Sequence, residues 1–353
     1  MKRKVVAVLF GGQSSEHEIS CLSAATVVRA IDADRYETLL IGITREGRWL
    51  QVDSLEAITS GEWRSGRVSA ILSPDAGMKA VLMCDGEKLT LRPVDVVFPV
   101  LHGRWGEDGT VQGLLELACL PYVGCGVLAS AVSMDKLYTK IIVDRLGITQ
   151  ASYQAVEKPE LAKDADGVMD RLERTISYPM VVQPADAGSS KGVSKAETRG
   201  ELLAALQLAA AEGTRVLVEE TIVGRELECA VLTTPEGTKA SGVGEIIAAA
   251  EFYDFDAKYN NADSKTTVRP ELPDDVREEI RRAAVRIFDG VSGFGLARVD
   301  FFMEKGTNRM IFNELNTLPG FTSISMYPML WREQGLDTRE LVTALIESAF
   351  DRG

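Results

Sequence analysis

The feature that most constrains the fold is a continuous apolar run at residues 5–10, which stops at Gly11-Gly12. A run rich in β-branched side chains, without polar alternation, is typical of a parallel strand buried on both faces. A second run, residues 94–100, is almost wholly apolar and is followed closely by His102-Gly103, and a helical pattern covers about residues 18–30. Strand, helix and strand in this order predict an open α/β domain, whose ligand crevice lies at the carboxyl ends of the strands.

The length of 353 residues favours two or three domains over a single core. A joint is expected near residues 121–126, and we divide the chain into residues 1–125, 126–214 and 215–353. The two later segments mix helices and strands, so α/β or α+β domains are predicted. Their strands are expected at residues 180–183, 216–220, 226–232, 296–302 and 310–316, and their helices at about 130–146, 200–213, 273–287 and 337–350.

The charge of the chain argues against nucleic-acid and membrane partners. Its formal net charge is −13, and both nucleic acids and anionic membrane surfaces repel such a protein. The N-terminal apolar run is too short for a signal peptide, and no stretch reaches transmembrane length, so a cytosolic protein is expected. Two histidines exclude a histidine-rich metal site, and five scattered cysteines without a CxxC pair favour reduced thiols.

A candidate cation site lies on the strands at residues 296–302 and 310–316. Side chains alternate along a strand, so Arg298 shares a face with Asp300, and Glu314 shares one with Asn316. A hairpin turn centred near Thr307 would place Asp300 directly opposite Glu314. Facing carboxylates need neutralisation, and oxygen ligands of this kind suit Mg²⁺. The alternative is a different register, in which both acids are simply solvated.

A loop rich in small residues, residues 187–192, follows a predicted strand and combines glycines with serines and Lys191. Such loops bring backbone N–H groups close to phosphate, although an ordinary surface loop has the same composition. The P-loop spacing is absent here. Residues 11–16 lack GxGxxG, which argues against a nicotinamide dehydrogenase.

Seven segments in order resemble the D-alanine–D-alanine ligases of the ATP-grasp superfamily. They are GGQSSEHEIS (11–20), LHGRWGEDGTVQG (101–113), SMDK (133–136), GSS (188–190), FYDFDAKY (252–259), RVD (298–300) and NELNTLPGFT (313–322). The resemblance covers essentially the whole chain. It implies an ATP-grasp fold whose N-terminal α/β domain binds substrate. Residues 126–214 and 215–353 would then be the two ATP-grasp subdomains, and the second would carry the magnesium and catalytic residues.

The same resemblance implies the reaction. The carboxylate of one D-alanine attacks the γ-phosphate of ATP, and the amine of a second D-alanine displaces phosphate from the resulting acyl phosphate. The dipeptide serves peptidoglycan precursor synthesis. ATP and Mg²⁺ are the implied cofactors, with two ions expected and Mn²⁺ as a substitute. A homodimer is also expected.

Roles for individual residues follow from the matching positions. Glu16 and His102 would bind the first substrate, and Ser189 and Tyr259 would close loops over it together with Glu16. Arg298 and the backbone N–H of Gly320 would stabilise the oxyanion. Ser325 and Met326 would receive the carboxylate of the second substrate. The implied ATP-binding residues are Lys136, Gln183, Ser190, Lys191, Glu219, Ile222, Glu226 and Lys258, and the implied magnesium ligands are Asp300, Glu314 and Asn316.

One position departs from the family pattern. The family usually has Lys-Pro after the central strand, with the lysine reaching the ATP phosphates, but this chain has Gln183-Pro184. A neutral amide cannot neutralise phosphate charge. Lys191 is a candidate to compensate; alternatively it is solvated, or activity is reduced or lost.

Three functions therefore stay open at this point. The first is a D-alanine–D-alanine ligase, and the second is a ligase that uses D-serine or D-lactate as its second substrate. The third is a non-catalytic nucleotide-binding protein, motivated only by Gln183. The complete set Arg298, Asp300, Glu314 and Asn316 weighs against the third.

Overall fold

The computed structural model describes residues 2–186, 188, 191–247 and 265–352. The N-terminal part forms a seven-stranded sheet in the order β6-β5-β4-β3-β2-β1-β7. Its three parallel strands are the two apolar runs of the sequence and the strand that follows the first helix. The strands are β1 (Lys4–Gly11), β2 (Tyr36–Ile43), β3 (Trp49–Val52), β4 (Ser69–Leu72), β5 (Ala80–Asp85), β6 (Lys88–Pro93) and β7 (Val96–Val100).

The parallel arrangement predicted from the apolar runs is confirmed. Strand β1 pairs in parallel with β2 on one side and β7 on the other, and helix α1 (His17–Ala30) connects β1 to β2. The loops after β1 and β7 therefore lie side by side at one edge of the sheet. Gly11 makes this turn with a φ of +86°, and a Cβ there would lie 2.3 Å from the carbonyl oxygen of Ile43, so only glycine fits.

The central part of the chain forms a four-stranded antiparallel sheet in the order β10-β9-β11-β8. Strand β11 begins at the first residue of the predicted third segment, yet it hydrogen-bonds within this central sheet. The strands are β8 (Tyr153–Glu157), β9 (Met180–Pro184), β10 (Ser194–Ala196) and β11 (Arg215–Glu220). The helices up to this point are α2 (Leu55–Ser60), α3 (Thr110–Leu117), α4 (Val127–Met134), α5 (Lys136–Arg145), α6 (Lys158–Lys163), α7 (Ala165–Glu173) and α8 (Arg199–Glu212), with a short 3₁₀ helix at Glu62–Ser65.

The third sheet is antiparallel, in the order β14-β13-β12-β15-β16. Its strands are β12 (Gly224–Thr234), β13 (Gly237–Ile247), β14 (Lys265–Thr267), β15 (Leu296–Glu304) and β16 (Met310–Asn316). Helix α9 (Asp274–Gly290) covers it with an apolar face, on which Val276, Ile280, Ala284 and Ile287 are all buried. Two further helices follow, α10 (Met326–Glu333) and α11 (Thr338–Phe350).

The C-terminal helix α11 packs against the N-terminal sheet as well as against the third sheet. Leu341 and Leu345 share one buried cluster with Val6 of β1 and Phe98 of β7. The apolar face of this amphipathic helix is thereby removed from water, which is the main driving force for such packing. The loop after β16 is likewise held against the loop after β7, by hydrogen bonds of His102 and Glu107 to Leu318. None of the helices in the described part of the chain has the length and apolar character needed to cross a membrane.

Candidate active site between the domains

The hairpin of β15 and β16 has the register predicted from the sequence. Asp300 pairs directly with Glu314, and Arg298 pairs with Asn316. The register then shifts by one residue beyond Asp300, where an irregularity in the ladder marks a bulge. The alternative register, which would have separated the two acids, is therefore wrong.

Arg298 neutralises the acidic side of this hairpin. Its Nε and Nη2 donate to the two carboxylate oxygens of Asp300, each at 2.7 Å, and its Nε lies 3.2 Å from Oε1 of Glu228 on β12. Burial opposes the charge of Arg298, but the charges of Asp300 and Glu228 outweigh it and raise the pKa of the guanidinium. Arg298 therefore stays charged and is held in place by a bidentate contact.

A second cation approaches from the central part of the chain. Lys136, at the start of α5, places its Nζ 3.6 Å from Oε2 of Glu314. The start of this helix is fixed because the backbone N–H of Lys136 donates to the carbonyl of Ala185 at 2.8 Å. Lys136 thus lies where the central sheet meets the hairpin that carries the acids.

The donor set on the hairpin fits a hard divalent cation. Asp300, Glu314 and Asn316 present side-chain oxygens on one face, the type of ligand that Mg²⁺ takes. The Asn316 amide donates to Oδ2 of Asp300 at 3.0 Å, and a rotation of this amide would offer its oxygen instead. Within the described ranges, no three His, Cys, Asp or Glu side chains cluster as a metal site, and Asn316 is the third oxygen-bearing side chain beside the two carboxylates on this face.

Glu16 lies at the meeting point of three loops. It is buried, with 9% of its surface exposed, directly before helix α1. A Cβ on Gly103 would lie 2.6 Å from its Oε2, and a Cβ on Gly188 would lie 3.5 Å from the same atom. The small residues at these two positions therefore give the Glu16 carboxylate its space, and Gly188 of the predicted phosphate loop lies beside Glu16 at this end of the cleft.

His102 connects this end of the cleft to the loop after β16. Its Nδ1 lies 2.9 Å from the carbonyl oxygen of Leu318, and its Nε2 lies 3.0 Å from Oγ of Ser23. A carbonyl only accepts, so Nδ1 carries the proton and Nε2 accepts from the Ser23 hydroxyl. Burial lowers the pKa of His102, in agreement with a neutral ring. The imidazole is thus oriented on both sides by hydrogen bonds.

Two residues that the sequence analysis did not single out complete this connection. Oε1 of Glu107 accepts the backbone N–H of Leu318 at 2.8 Å, and its Oε2 accepts that of Gly103 at 2.8 Å. Oγ of Ser23 accepts the N–H of Phe321 at 3.1 Å. Glu107 lies inside one of the quoted segments, so its position carried a signal, whereas Ser23 is one of several small residues on α1 and carried none. We call Ser23, His102 and Glu107, with the backbone they hold at Leu318 and Phe321, the Leu318 clamp.

The Leu318 clamp fixes the short loop that contains Gly320. A Cβ on Gly320 would lie 2.8 Å from Oγ of Ser325, which itself accepts the N–H of Thr322 at 3.0 Å. Met326 is buried at the start of α10, where its sulfur packs against Gly244 of β13. The two residues implied for the second substrate therefore lie next to the loop that the clamp holds.

The remaining predicted nucleotide residues lie along the central and third sheets. Gln183 donates to Oε2 of Glu219 on the neighbouring strand β11. Ile222 follows β11, and Glu226 lies on β12 opposite Phe302. Lys191 forms an ion pair with Glu212 at 2.9 Å, and 68% of its side chain is exposed. Ser189, Ser190, Lys258 and Tyr259 lie outside the described residues.

Comparison with known proteins identifies the family. Residues 5–125 match the family model described as D-ala D-ala ligase N-terminus, and residues 142–347 match the one described as D-ala D-ala ligase C-terminus. The chain is 48% identical to a D-alanine–D-alanine ligase of Acetivibrio thermocellus, covering 99% of this chain and 96% of the relative. A ligase of the same name from Ruminiclostridium cellulolyticum is 46% identical, over 100% and 96% of the two chains.

Solved structures agree with the sequence relatives. The VanG D-Ala:D-Ser ligase from Enterococcus faecalis superimposes with a TM-score of 0.89 at 36% identity, covering 99% of this chain and 100% of the other. The D-alanine–D-alanine ligase from Coxiella burnetii gives a TM-score of 0.85 at 36% identity, covering 99% and 96%. Because the matches in sequence and in structure both extend over the whole chain, this protein has the ATP-grasp fold and belongs to the D-alanine–D-alanine ligase family.

Proposed function

We propose that this chain joins two molecules of D-alanine into D-alanyl-D-alanine, with conversion of ATP to ADP and phosphate. The observation that carries the proposal is the hairpin face on which Arg298, Asp300, Glu314 and Asn316 lie together, directly beside the clamped Gly320 loop. Family membership implies dependence on ATP and on a divalent metal. The finer expectations belong to the proposal: two Mg²⁺ ions, replaceable by Mn²⁺, a homodimer, and a cytoplasmic location for peptidoglycan precursor synthesis.

The substrate end of the cleft supports binding of an amino acid. Glu16 would accept a charge-assisted hydrogen bond from the ammonium group of the first D-alanine. The neutral ring of His102 would lie beside the same substrate. Ser325 and Met326 would receive the carboxylate of the second D-alanine. Ser189 and Tyr259 would close loops over the substrates together with Glu16, and exclusion of water would protect the acyl phosphate from hydrolysis.

The hairpin end supports transfer of a phosphoryl group. Asp300, Glu314 and Asn316 would hold the divalent metal, which when bound neutralises charge on the phosphates. Arg298 and the N–H of Gly320 would stabilise the oxyanion that develops when the amine attacks. Lys136, Gln183, Ser190, Lys191, Glu219, Ile222, Glu226 and Lys258 would bind ATP.

The test is incubation with ATP, Mg²⁺ and D-alanine, D-serine or D-lactate, followed by measurement of ADP and of product mass. We expect ADP to form only with D-alanine present and in equal amount to the dipeptide. Mainly D-alanyl-D-serine or depsipeptide at neutral pH would favour the second-substrate alternatives, for which the similar D-Ala:D-Ser ligase structure gives a reason to test. ATP binding without any ligated product would leave only a nucleotide-binding protein.

Arg298→Lys tests the proposed role of Arg298 whichever second substrate the protein uses. Lysine keeps the charge but cannot make the bidentate contact with Asp300, so turnover should fall by about 10²-fold. Arg339→Lys is the matched control, because Arg339 forms an exposed ion pair with Asp32 at the surface. Equal activity of the two variants would contradict the role proposed for Arg298.

A further inference from the structure

Lys140 is a buried cation beside the proposed nucleotide site. It lies on α5, four residues after Lys136, so both side chains leave the same face of the helix. Only 2% of its side chain is exposed, and its Nζ lies 5.5 Å from the ring centre of Tyr153 and 6.0 Å from that of Phe312. A buried ammonium in such surroundings needs a counter-charge.

Glu219 provides that counter-charge and uses both of its oxygens. Oε1 lies 2.6 Å from Nζ of Lys140, and Oε2 accepts from the amide of Gln183. Gln183 and Glu219 lie on adjacent antiparallel strands, with their side chains on one face of the central sheet. The three residues form what we call the Glu219 cluster: one carboxylate, one ammonium and one neutral amide.

Among the described residues, the positive charge of the Glu219 cluster comes from Lys140. Gln183 satisfies one oxygen of the carboxylate but carries no charge. In the described part of the chain, Lys140 is the cation that the structure pairs with Glu219. The nearby lysines are engaged elsewhere, since Lys136 lies against Glu314 and Lys191 pairs with Glu212 at the surface.

We propose that Lys140 is a positioning residue for nucleotide binding, which neutralises Glu219 so that the cleft presents no uncompensated carboxylate to the triphosphate. The inference rests on the proposed nucleotide site. It also bears on position 183, because Glu219 takes its counter-charge from Lys140 on α5 while the neutral Gln183 only donates a hydrogen bond to it. Lys140 acts through Glu219 and does not itself contact the nucleotide.

The experiment measures ATP affinity in the presence of Mg²⁺ by equilibrium titration, separately from ligase turnover. Lys140→Met removes the charge and keeps most of the side-chain volume, so the ATP dissociation constant should rise by about tenfold or more. The KM for D-alanine should stay close to that of the wild type. Gln183→Lys in the same chain should restore most of the ATP affinity, because it returns a cation to Glu219.

Two further variants separate this role from a merely structural one. In a Glu219→Gln background, loss of Lys140 should change the ATP dissociation constant by only about twofold, since no carboxylate is left to neutralise. The same double variant keeps the test available if Lys140→Met alone does not fold, because it removes both partners of the buried pair together. Lys239→Met, at an exposed ion pair with Glu236, is the matched control.

The measured ATP affinities either support or overturn the role proposed for Lys140. Weaker ATP binding by Lys140→Met and its rescue by Gln183→Lys would support the inference. Unchanged ATP binding by a folded Lys140→Met, or equal losses with and without Glu219, would overturn it. A wild-type protein that binds no ATP would instead refute the proposed function, so the two failures are distinguishable.

Discussion

Glu107 and Leu318 lie 211 positions apart in the sequence and are joined by a hydrogen bond of 2.8 Å, in which the glutamate accepts the backbone N–H of the leucine. The second oxygen of the same carboxylate accepts the N–H of Gly103. A single side chain thus links the loop after β7 to the loop that contains Gly320. A backbone donor stabilises an oxyanion only when it is held in position, so if the N–H of Gly320 has the proposed role, this contact should matter for turnover.

Glu107→Gln should reduce turnover without weakening nucleotide binding. Glutamine has one acceptor oxygen, and its NH₂ group would face the N–H of either Gly103 or Leu318. One of the two hydrogen bonds made by Glu107 is therefore lost. We expect kcat to fall by about tenfold or more, with little change in the KM for ATP. Steady-state kinetics with varied ATP and varied D-alanine would measure this at about pH 9, above the raised pKa of Glu107, where the carboxylate accepts both N–H groups.

Glu116→Gln is the control for this prediction. Glu116 accepts a hydrogen bond from the Tyr122 hydroxyl at 2.6 Å, outside the Leu318 clamp. A loss of kcat in this control as large as that in Glu107→Gln would mean that the clamp has no special role.

Glu107 should also make stability depend on pH. Burial and then the negative charge of Glu16 raise its pKa from the usual value of 4.5 to about 8. Between these values the folded protein binds more protons at this site than the unfolded chain does. The free energy of unfolding contributed by Glu107 therefore falls as the pH rises from about 4.5 to about 8.

Denaturant unfolding of the wild type and of Glu107→Gln across this pH range would test the sign. The variant lacks the titrating group, so its stability relative to the wild type should increase steadily toward pH 8. A constant difference between the two proteins would show that the pKa of Glu107 is not raised.

The two hairpin acids should respond differently to neutralisation. From the sequence alone, removing either charge is expected to relieve repulsion. In the structure, however, Asp300 holds Arg298 through two bonds of 2.7 Å, whereas Glu314 lies 3.6 Å from Lys136. Asp300→Asn should therefore lower the free energy of unfolding by about 1–3 kcal/mol, because it weakens the pairing of a buried guanidinium. Glu314→Gln should change it by less than about 1 kcal/mol.

Both substitutions should abolish turnover if the two carboxylates hold the metal. Unfolding without nucleotide or metal, together with activity assays, would separate the two effects. Asp289→Asn at the surface is the control, since the Asp289 side chain accepts a hydrogen bond from Thr238 away from the hairpin acids. Active variants of Asp300 or Glu314 would argue against the metal site.

Substitution of Lys191 tests whether this lysine supplies the positive charge that Gln183 lacks. The ion pair of its exposed side chain with Glu212 favours the solvated alternative. Lys191→Ala should accordingly change the KM for ATP by less than about fivefold, the range expected for an exposed ion pair. A rise well beyond that value would show that Lys191 leaves Glu212 and reaches the phosphates during the reaction. Glu212→Gln is the companion variant, because it removes the pair but keeps the lysine.

Patterns that depend on neighbouring positions were readable from the sequence. The apolar runs of β1 and β7 predicted parallel buried strands, because a strand without polar alternation needs cover on both faces. Alternation along two strands and one turn predicted Asp300 opposite Glu314, because the register of a hairpin follows from its turn. These relationships span few residues and obey a fixed backbone geometry.

Contacts between distant segments were decided by the tertiary structure alone. Strand β11 pairs in the central sheet, α11 covers the N-terminal sheet, and Glu107 reaches Leu318 across the cleft. Lys140 meets Glu219 only because α5 packs where the central and third sheets converge. The sequence around a charged or hydrogen-bonding side chain does not show which distant residue it will pair with. The partner is selected by how the sheets and helices bury their apolar faces together, and this packing determines which polar groups are left to satisfy one another.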